Sequence, residues 1–147
     1  MYKHILIPTD GSTFSAHAVA HGIGLAKALG ARVTGLYVAP APTPVVFEGM
    51  VPVGLMQPDE HAALNQRAAA RYLGAIEKAA QQAGVACEGV SVTGEYPAEA
   101  ILEAVAQRKC DLVVMASHGR RGLAGVLLGS ETQRVLTHAK VPVLVCR

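Results

Sequence analysis

Residues 111–132, DLVVMASHGRRGLAGVLLGSET, are the stretch from which the fold of this chain is read. The apolar run Leu112-Val113-Val114-Met115 stops at Ala116-Ser117-His118-Gly119. A basic loop containing glycine follows, and Gly129-Ser130-Glu131-Thr132 opens a helical pattern. An apolar run bounded by turn residues reads as a buried strand. Small residues at its carboxyl end let backbone N–H groups come close to a ligand. A helix start led by Ser and Thr adds unsatisfied donors and the positive end of a dipole. Proteins of the α/β class hold phosphates with that combination, so the segment predicts a strand–loop–helix unit facing an anion.

Working outward, strand and helix signals alternate along the chain. Residues 4–8 are apolar and β-rich, and 12–29 are helical, with Ser15, Ala18, Val19, Gly22, Leu25, Ala26 and Leu29 on one face. Gly30 stands where a C-cap glycine belongs. Residues 32–38 are the next strand. The segment 40–58 holds five of the eight prolines and predicts a long apolar loop, a lid or partner surface, rather than a helix or central strand. A helix over 59–83 closes at Gly84, a third strand covers 85–92, and Pro97–Arg108 is a helix with proline in its first turn. Leu112–Ala116 is the fourth strand, Ser130–His138 the last helix and 141–146 the final strand. Such alternation with short connections predicts right-handed crossovers and a five-stranded parallel sheet, doubly wound, with helices on both faces. Ligands of such sheets sit outside the carboxyl ends of the strands, at the switch point. If the first and fourth strands are neighbours, Pro8-Thr9-Asp10-Gly11 and the 116–122 loop flank one crevice.

Composition narrows the class. At 147 residues the chain predicts a single domain over 1–147, with a core of ordinary size. It is 51% hydrophobic, 16% charged and free of Trp, which excludes a disordered chain. A formal charge of +2 is too small and scattered to point to nucleic acid or an anionic membrane. The N-terminus, MYKHILIPTD, has too short an apolar core for a signal peptide and reads as a first strand. Cys87, Cys110 and Cys146 are odd in number and far apart, so a disulfide framework or zinc site is not expected and a reducing cytoplasm is.

The N-terminal ILIPTDGS, the strand VTGLYV, the segment ending DLVVMASHG, the GS after the loop and the terminal VPVLVCR together resemble the universal stress protein family, over essentially the whole chain. The nucleotide-binding members of that family carry Gly, two residues, Gly, nine residues, Gly, then Ser or Thr. Here Ala116-Ser117-His118-Gly119 is followed by nine residues and then Gly129-Ser130. The spacing is intact, but Ala116 replaces the first glycine. A methyl there is tolerable with φ below zero and costly if a ligand presses on the Cα.

What the resemblance implies is an ATP-binding, dimeric regulatory protein of the stress response. Pro8, Thr9 and Asp10 would line the adenosine side and Val38 would offer its backbone to the adenine. Met115, Ala116, Ser117, His118, Gly119, Arg120, Arg121 and Gly122 would wrap ribose and phosphates, and Gly129, Ser130, Glu131 and Thr132 would meet the phosphates at the helix start. The chemistry of these side chains agrees. Ser130 and Thr132 carry hydroxyls beside free N–H groups, the two arginines carry charge, and Asp10 can accept from ribose or adenine or help hold Mg²⁺. The final strand, with Pro142 inside it, predicts an apolar sheet edge. In the family this strand pairs across a two-fold axis, so a homodimer through Val141, Val143 and Val145, with Leu136 nearby, is expected.

Plainer roles stand beside these. Ser12 reads as an N-cap, Arg120 and Arg121 as a solvated pair, and His118 as a loop side chain. His17 and His21 have the spacing of a metal pair but lie off the apolar face with no third ligand, so metal is not expected there. Cys110 and Cys146 read as small core residues. Two other functions stay open: a slow ATP hydrolase using the same crevice, although no Walker lysine or evident base is present, and a nucleotide-free interaction module, which Ala116 keeps in view.

Overall fold

Each strand of the main sheet is reached from the one before it through a helix, as the alternation of patterns requires. The computed structural model describes residues 1–42, 46–48, 51–53, 57–120, 122 and 127–147. The elements run β1 (His4–Thr9), α1 (Thr13–Leu29), β2 (Arg32–Pro40), β3 (Val46–Glu48), β4 (Val51–Val53), α2 (Pro58–Ala83), β5 (Cys87–Gly94), α3 (Pro97–Arg108), β6 (Leu112–Ala116), α4 (Ser130–His138) and β7 (Val143–Cys146). The main sheet has the order β5-β2-β1-β6-β7 and every pairing in it is parallel. Successive strands move outward from β1 on one side and from β6 on the other, so the switch point falls between those two.

Alternate residues of the central strands feed two cores, which is why both read as unbroken apolar runs. Ile5, Ile7, Val114 and Ala116 pack with Ala18 and Ala26 of α1 and Ile76 and Ala80 of α2. Leu6, Val113 and Met115 pack with Ile101 and Val105 of α3 and Val135 of α4. Ser12 caps α1, its side chain accepting from the Ser15 N–H at 3.2 Å. Gly30 ends α1 at φ 63°, its N–H reaching the Ala26 and Lys27 carbonyls.

Beyond strand ends that run one or two residues longer than expected, at Thr9, Pro40 and Gly94, three differences from the sequence expectation have evident causes. Val85 stays in the C-cap of α2, its N–H bonded to the Ala80 carbonyl, so β5 starts only at Cys87. Pro142 precedes β7 instead of lying within it; its carbonyl accepts from Val113, and the edge strand proper begins at Val143. The proline-rich segment, read as a loop throughout, contains a two-stranded antiparallel pair, β3 with β4, in which Phe47 faces Pro52. A two-stranded pair has open edges that accommodate proline, which is how β structure survives there. The rest of that segment (43–45, 49–50 and 54–56) lies outside the described residues.

The ladders around β1 are unequal. It pairs with β2 as far as Thr9 and Tyr37. It pairs with β6 only at Ile5–Leu112 and Leu6–Val113. Pro8 has no N–H to donate, so the ladder towards β6 cannot run through it. The sheet opens there, at the switch point and at the carboxyl ends of the strands.

Candidate functional site

One wall of the opening is the turn from β1 into α1. Gly11 takes φ 77°, and its N–H donates to the Thr9 hydroxyl at 3.1 Å. Asp10 accepts the Ser12 N–H on Oδ1 at 2.9 Å, while its Oδ2 reaches across the crevice to accept the Arg120 N–H at 2.7 Å. Partial burial pushes the Asp10 carboxyl up, but the hydrogen bonds from Ser12, Arg120 and Ser15 outweigh it and hold the group below its ordinary value. Asp10 is therefore an anion at neutral pH.

The opposite wall is the chain after β6. Ser117 is buried; its N–H donates to the Cys146 carbonyl at 2.7 Å, and its own carbonyl accepts the Gly129 N–H at 2.8 Å. That second bond folds the loop back so that α4 starts beside the end of β6. Little room is left for side chains: a Cβ at Gly119 would stand 2.7 Å from Asp10 Oδ2, and one at Gly129 would stand 3.3 Å from the Ser117 carbonyl. Gly119 thus lets the two walls meet. The N-cap of α4 is Gly129, with no side-chain cap, and the first intrahelical bond runs from Gln133 to Gly129. The N–H groups of Ser130, Glu131 and Thr132 stand ahead of that bond, where a helix presents its unsatisfied donors.

The residues singled out from the sequence divide into those at the opening and those in its frame. Pro8, Thr9, Asp10, Ser117, His118, Gly119, Arg120, Gly122, Gly129 and Ser130 lie on the two walls. Met115 is a core residue beneath them. Ala116 is the last residue of β6, paired with Cys146; its methyl joins the core on the α1 side, and its φ is not positive. Val38 stands one strand away in β2, beside Gly94 of β5. A cleft of about 390 Å³ opens next to it, lined by Pro40, Ala41, Gly94, Glu95 and Tyr96. Glu131 and Thr132 have their side chains engaged in the fold. Glu131 Oε2 accepts the Ala98 N–H at 2.7 Å, capping α3, whose own N-cap Tyr96 provides no side-chain bond. The buried Thr132 hydroxyl donates to the Ala116 carbonyl at 3.0 Å. Arg121 lies outside the described residues. His21 turns Nδ1 to the His17 carbonyl at 2.9 Å, and no group of three or more His, Cys, Asp or Glu suited to a metal ion occurs among the described residues.

Tyr72 of α2 is at the site although nothing in the local pattern marks it. Its ring underlies Gly11, lies edge-on to Tyr37 at 5.4 Å between centroids, and carries the Arg120 guanidinium 5.0 Å above it. Its hydroxyl also accepts a hydrogen bond from Arg120. Tyr72 is the single Phe, Tyr or Trp of α2 and adjoins the buried stripe Leu73, Ile76 and Ala80, the one hint the sequence held.

Comparison with known proteins agrees with this architecture. The sequence profile of the Universal stress protein family matches residues 1–147. A universal stress protein of Thermus aquaticus is 36% identical over 151 residues, covering 100% of both chains. The structure of universal stress protein UspA from Lactobacillus plantarum superposes with a TM-score of 0.79 at 24% identity, covering 99% of this chain and 98% of that one. A universal stress protein solved in complex with cAMP gives a TM-score of 0.71 at 26% identity, covering 99% and 97%. No helix among the described residues is long and apolar enough to cross a membrane. The chain belongs to the universal stress protein family.

Proposed function

We propose that this chain is a single-domain, cytoplasmic universal stress protein that binds ATP between the β1–α1 turn and the loop after β6, and acts through nucleotide-dependent association as a homodimer. The observation that carries the reading is the opening of the sheet at Pro8, where the β1–β6 ladder ends and the uncapped start of α4 forms one wall. Pro8, Thr9, Asp10 and the Val38 backbone take the adenosine side. The 116–122 loop wraps ribose and phosphates, with Arg120 and Arg121 supplying charge. Gly129 and Ser130 meet the phosphates. Glu131 and Thr132 contribute N–H groups alone, since their side chains are engaged elsewhere. Asp10 accepts from the ribose or adenine, or helps hold the Mg²⁺ that comes with the polyphosphate. The relative solved with cAMP supports an adenine nucleotide as ligand. Ala116 gives no support to a nucleotide-free reading, because its methyl points into the core and its backbone is that of a strand.

The test is acid extraction of the purified protein, followed by calorimetric titration with ATP. Recovery or uptake of adenine nucleotide is expected; neither one would leave the interaction-module reading in its place. The dimer is assigned to the edge strand β7, with Val141, Val143, Val145 and Leu136, and Leu144 stands 42% exposed beside them. Sedimentation should show a dimer for the parent and a monomer for Val145→Asp. A monomeric parent overturns the assignment.

A further inference from the structure

Arg120 is held at both ends. Its backbone N–H is fixed by Asp10 Oδ2 at 2.7 Å. Its guanidinium lies over the Tyr72 ring, 5.0 Å from the centroid, and donates to the Tyr72 hydroxyl. The ring is itself fixed, wedged between Tyr37 and Gly11; a Cβ at Gly11 would lie 2.2 Å from Tyr72 Cε1, so the turn accepts the ring only because that residue is glycine. An exposed arginine on a loop ordinarily loses side-chain freedom when it grips an anion, and pre-placing it reduces that loss. The guanidinium carries five N–H donors, and the tyrosine occupies one face and one N–H, leaving an edge free for phosphate oxygens.

We propose that Tyr72 is a positioning residue for Arg120, and that the pair makes the site selective for the phosphorylated end of its ligand over the nucleoside. The proposal rests on the nucleotide reading above. Tyr72 touches no phosphate itself; it acts through the arginine.

The experiment titrates the full chain and the variants Tyr72→Phe, Tyr72→Ala, Arg120→Ala and the double alanine variant with ATP and with adenosine. Tyr72→Ala should weaken ATP about tenfold, the loss of one cation–π contact and one charge-assisted hydrogen bond, and leave adenosine unchanged. Tyr72→Phe, which keeps the ring, should lie between it and the parent. The double variant should be no weaker than Arg120→Ala alone. Equal losses for ATP and adenosine would overturn the proposal, because Tyr72 would then be serving the adenosine wall through Tyr37. Losses that simply multiply in the double variant would overturn it too. Binding of neither ligand by the parent would remove the nucleotide reading and the selectivity with it. Trypsin then reads the pairing alone: cleavage after Arg120 should be faster in Tyr72→Ala, and an unchanged rate rejects the pair.

Discussion

At the amino end of the main sheet, four side chains use their polar capacity on one another. His4 Nε2 meets the Thr34 hydroxyl at 2.8 Å, Thr34 donates to Glu88 Oε1 at 3.3 Å, and Arg108 pairs with the same oxygen at 2.6 Å. His4 and Thr34 are 4% and 0% exposed, so the inner half of this network is buried while Glu88 and Arg108 close it at the surface. At the carboxyl end the polar work is done mainly by backbone. Ser117, Gly119, Arg120, Gly122 and Gly129 are tied by main-chain groups, and the start of α4 keeps N–H donors in reserve. One end is finished by its own side chains. The other, where the ladder parts at Pro8, has the uncapped start of α4 beside it. The contrast separates residues that hold the sheet from residues of the proposed ligand site, and substitutions at the two ends should fail differently.

The largest separation is expected from the glycines. A ligand that binds only the folded chain stabilises it by about 2.7 kcal/mol at a hundred times its Kd, so ATP should raise the thermal midpoint of the parent. Gly119→Leu drives a side chain into Asp10, and Gly129→Leu drives one against the Ser117 carbonyl. Both should abolish the ATP-dependent shift while the ligand-free protein still unfolds cooperatively. An unchanged shift in both would remove the phosphate-loop assignment.

The reverse outcome belongs to the amino end. Thr34→Val leaves the buried His4 Nε2 without its hydroxyl partner. An orphaned buried polar group costs about 1–3 kcal/mol, so denaturant unfolding should show a loss of that order. The ATP shift should match the parent's. A Thr34→Val variant that loses ATP response without losing stability would merge the two ends that the structure keeps apart.

A gentler probe of the same network is pH. Burial pushes the His4 imidazole below its ordinary value of 6.5, and the Arg32 charge adds to it. The Arg108 carbonyl and the carboxylates of Glu88 and Asp111 only partly restore it. The folded state therefore holds the proton less tightly than the unfolded chain does. The stability from neutral His4 is complete above about pH 6.5 and is lost as pH falls through the lowered folded value. Urea midpoints across this window should decline on the acid side in the parent and decline less in His4→Gln. Identical profiles would show that other groups carry the acid sensitivity.

Much of this division was legible in the chain and some was not, for physical reasons. Ile5-Leu6-Ile7 and Leu112 to Met115 announced buried parallel strands because both faces of each are covered. The spacing of Gly119, Gly129 and Ser130 announced the loop because close approach demands small residues at fixed intervals. Glu131 illustrates the limit. Its place at a helix start suggested an anion-binding turn, yet its carboxylate caps α3, whose position depends on tertiary packing. Tyr72 and Arg120 are 48 residues apart, and no local period links them. The β3–β4 pair is hidden by prolines that forbid a central strand but not an open-edged pair.

The smallest effect is expected at Ala116, where the chain departs from the family's glycine. If a glycine were needed there for a left-handed backbone, alanine would strain the loop, and Ala116→Gly should tighten ATP binding. Ala116 instead ends β6 in register with Cys146, without a positive φ, and its methyl packs with Ile5, Ile7 and Val114. Glycine there removes a core contact and adds backbone freedom to a strand, a cost of about 0.5–1 kcal/mol. The expected result is a slightly lower midpoint for the ligand-free Ala116→Gly protein and an ATP affinity at least equal to the parent's. Calorimetric titration beside thermal unfolding measures both. A marked fall in affinity with unchanged stability would mean that the methyl shapes the ligand wall rather than the core.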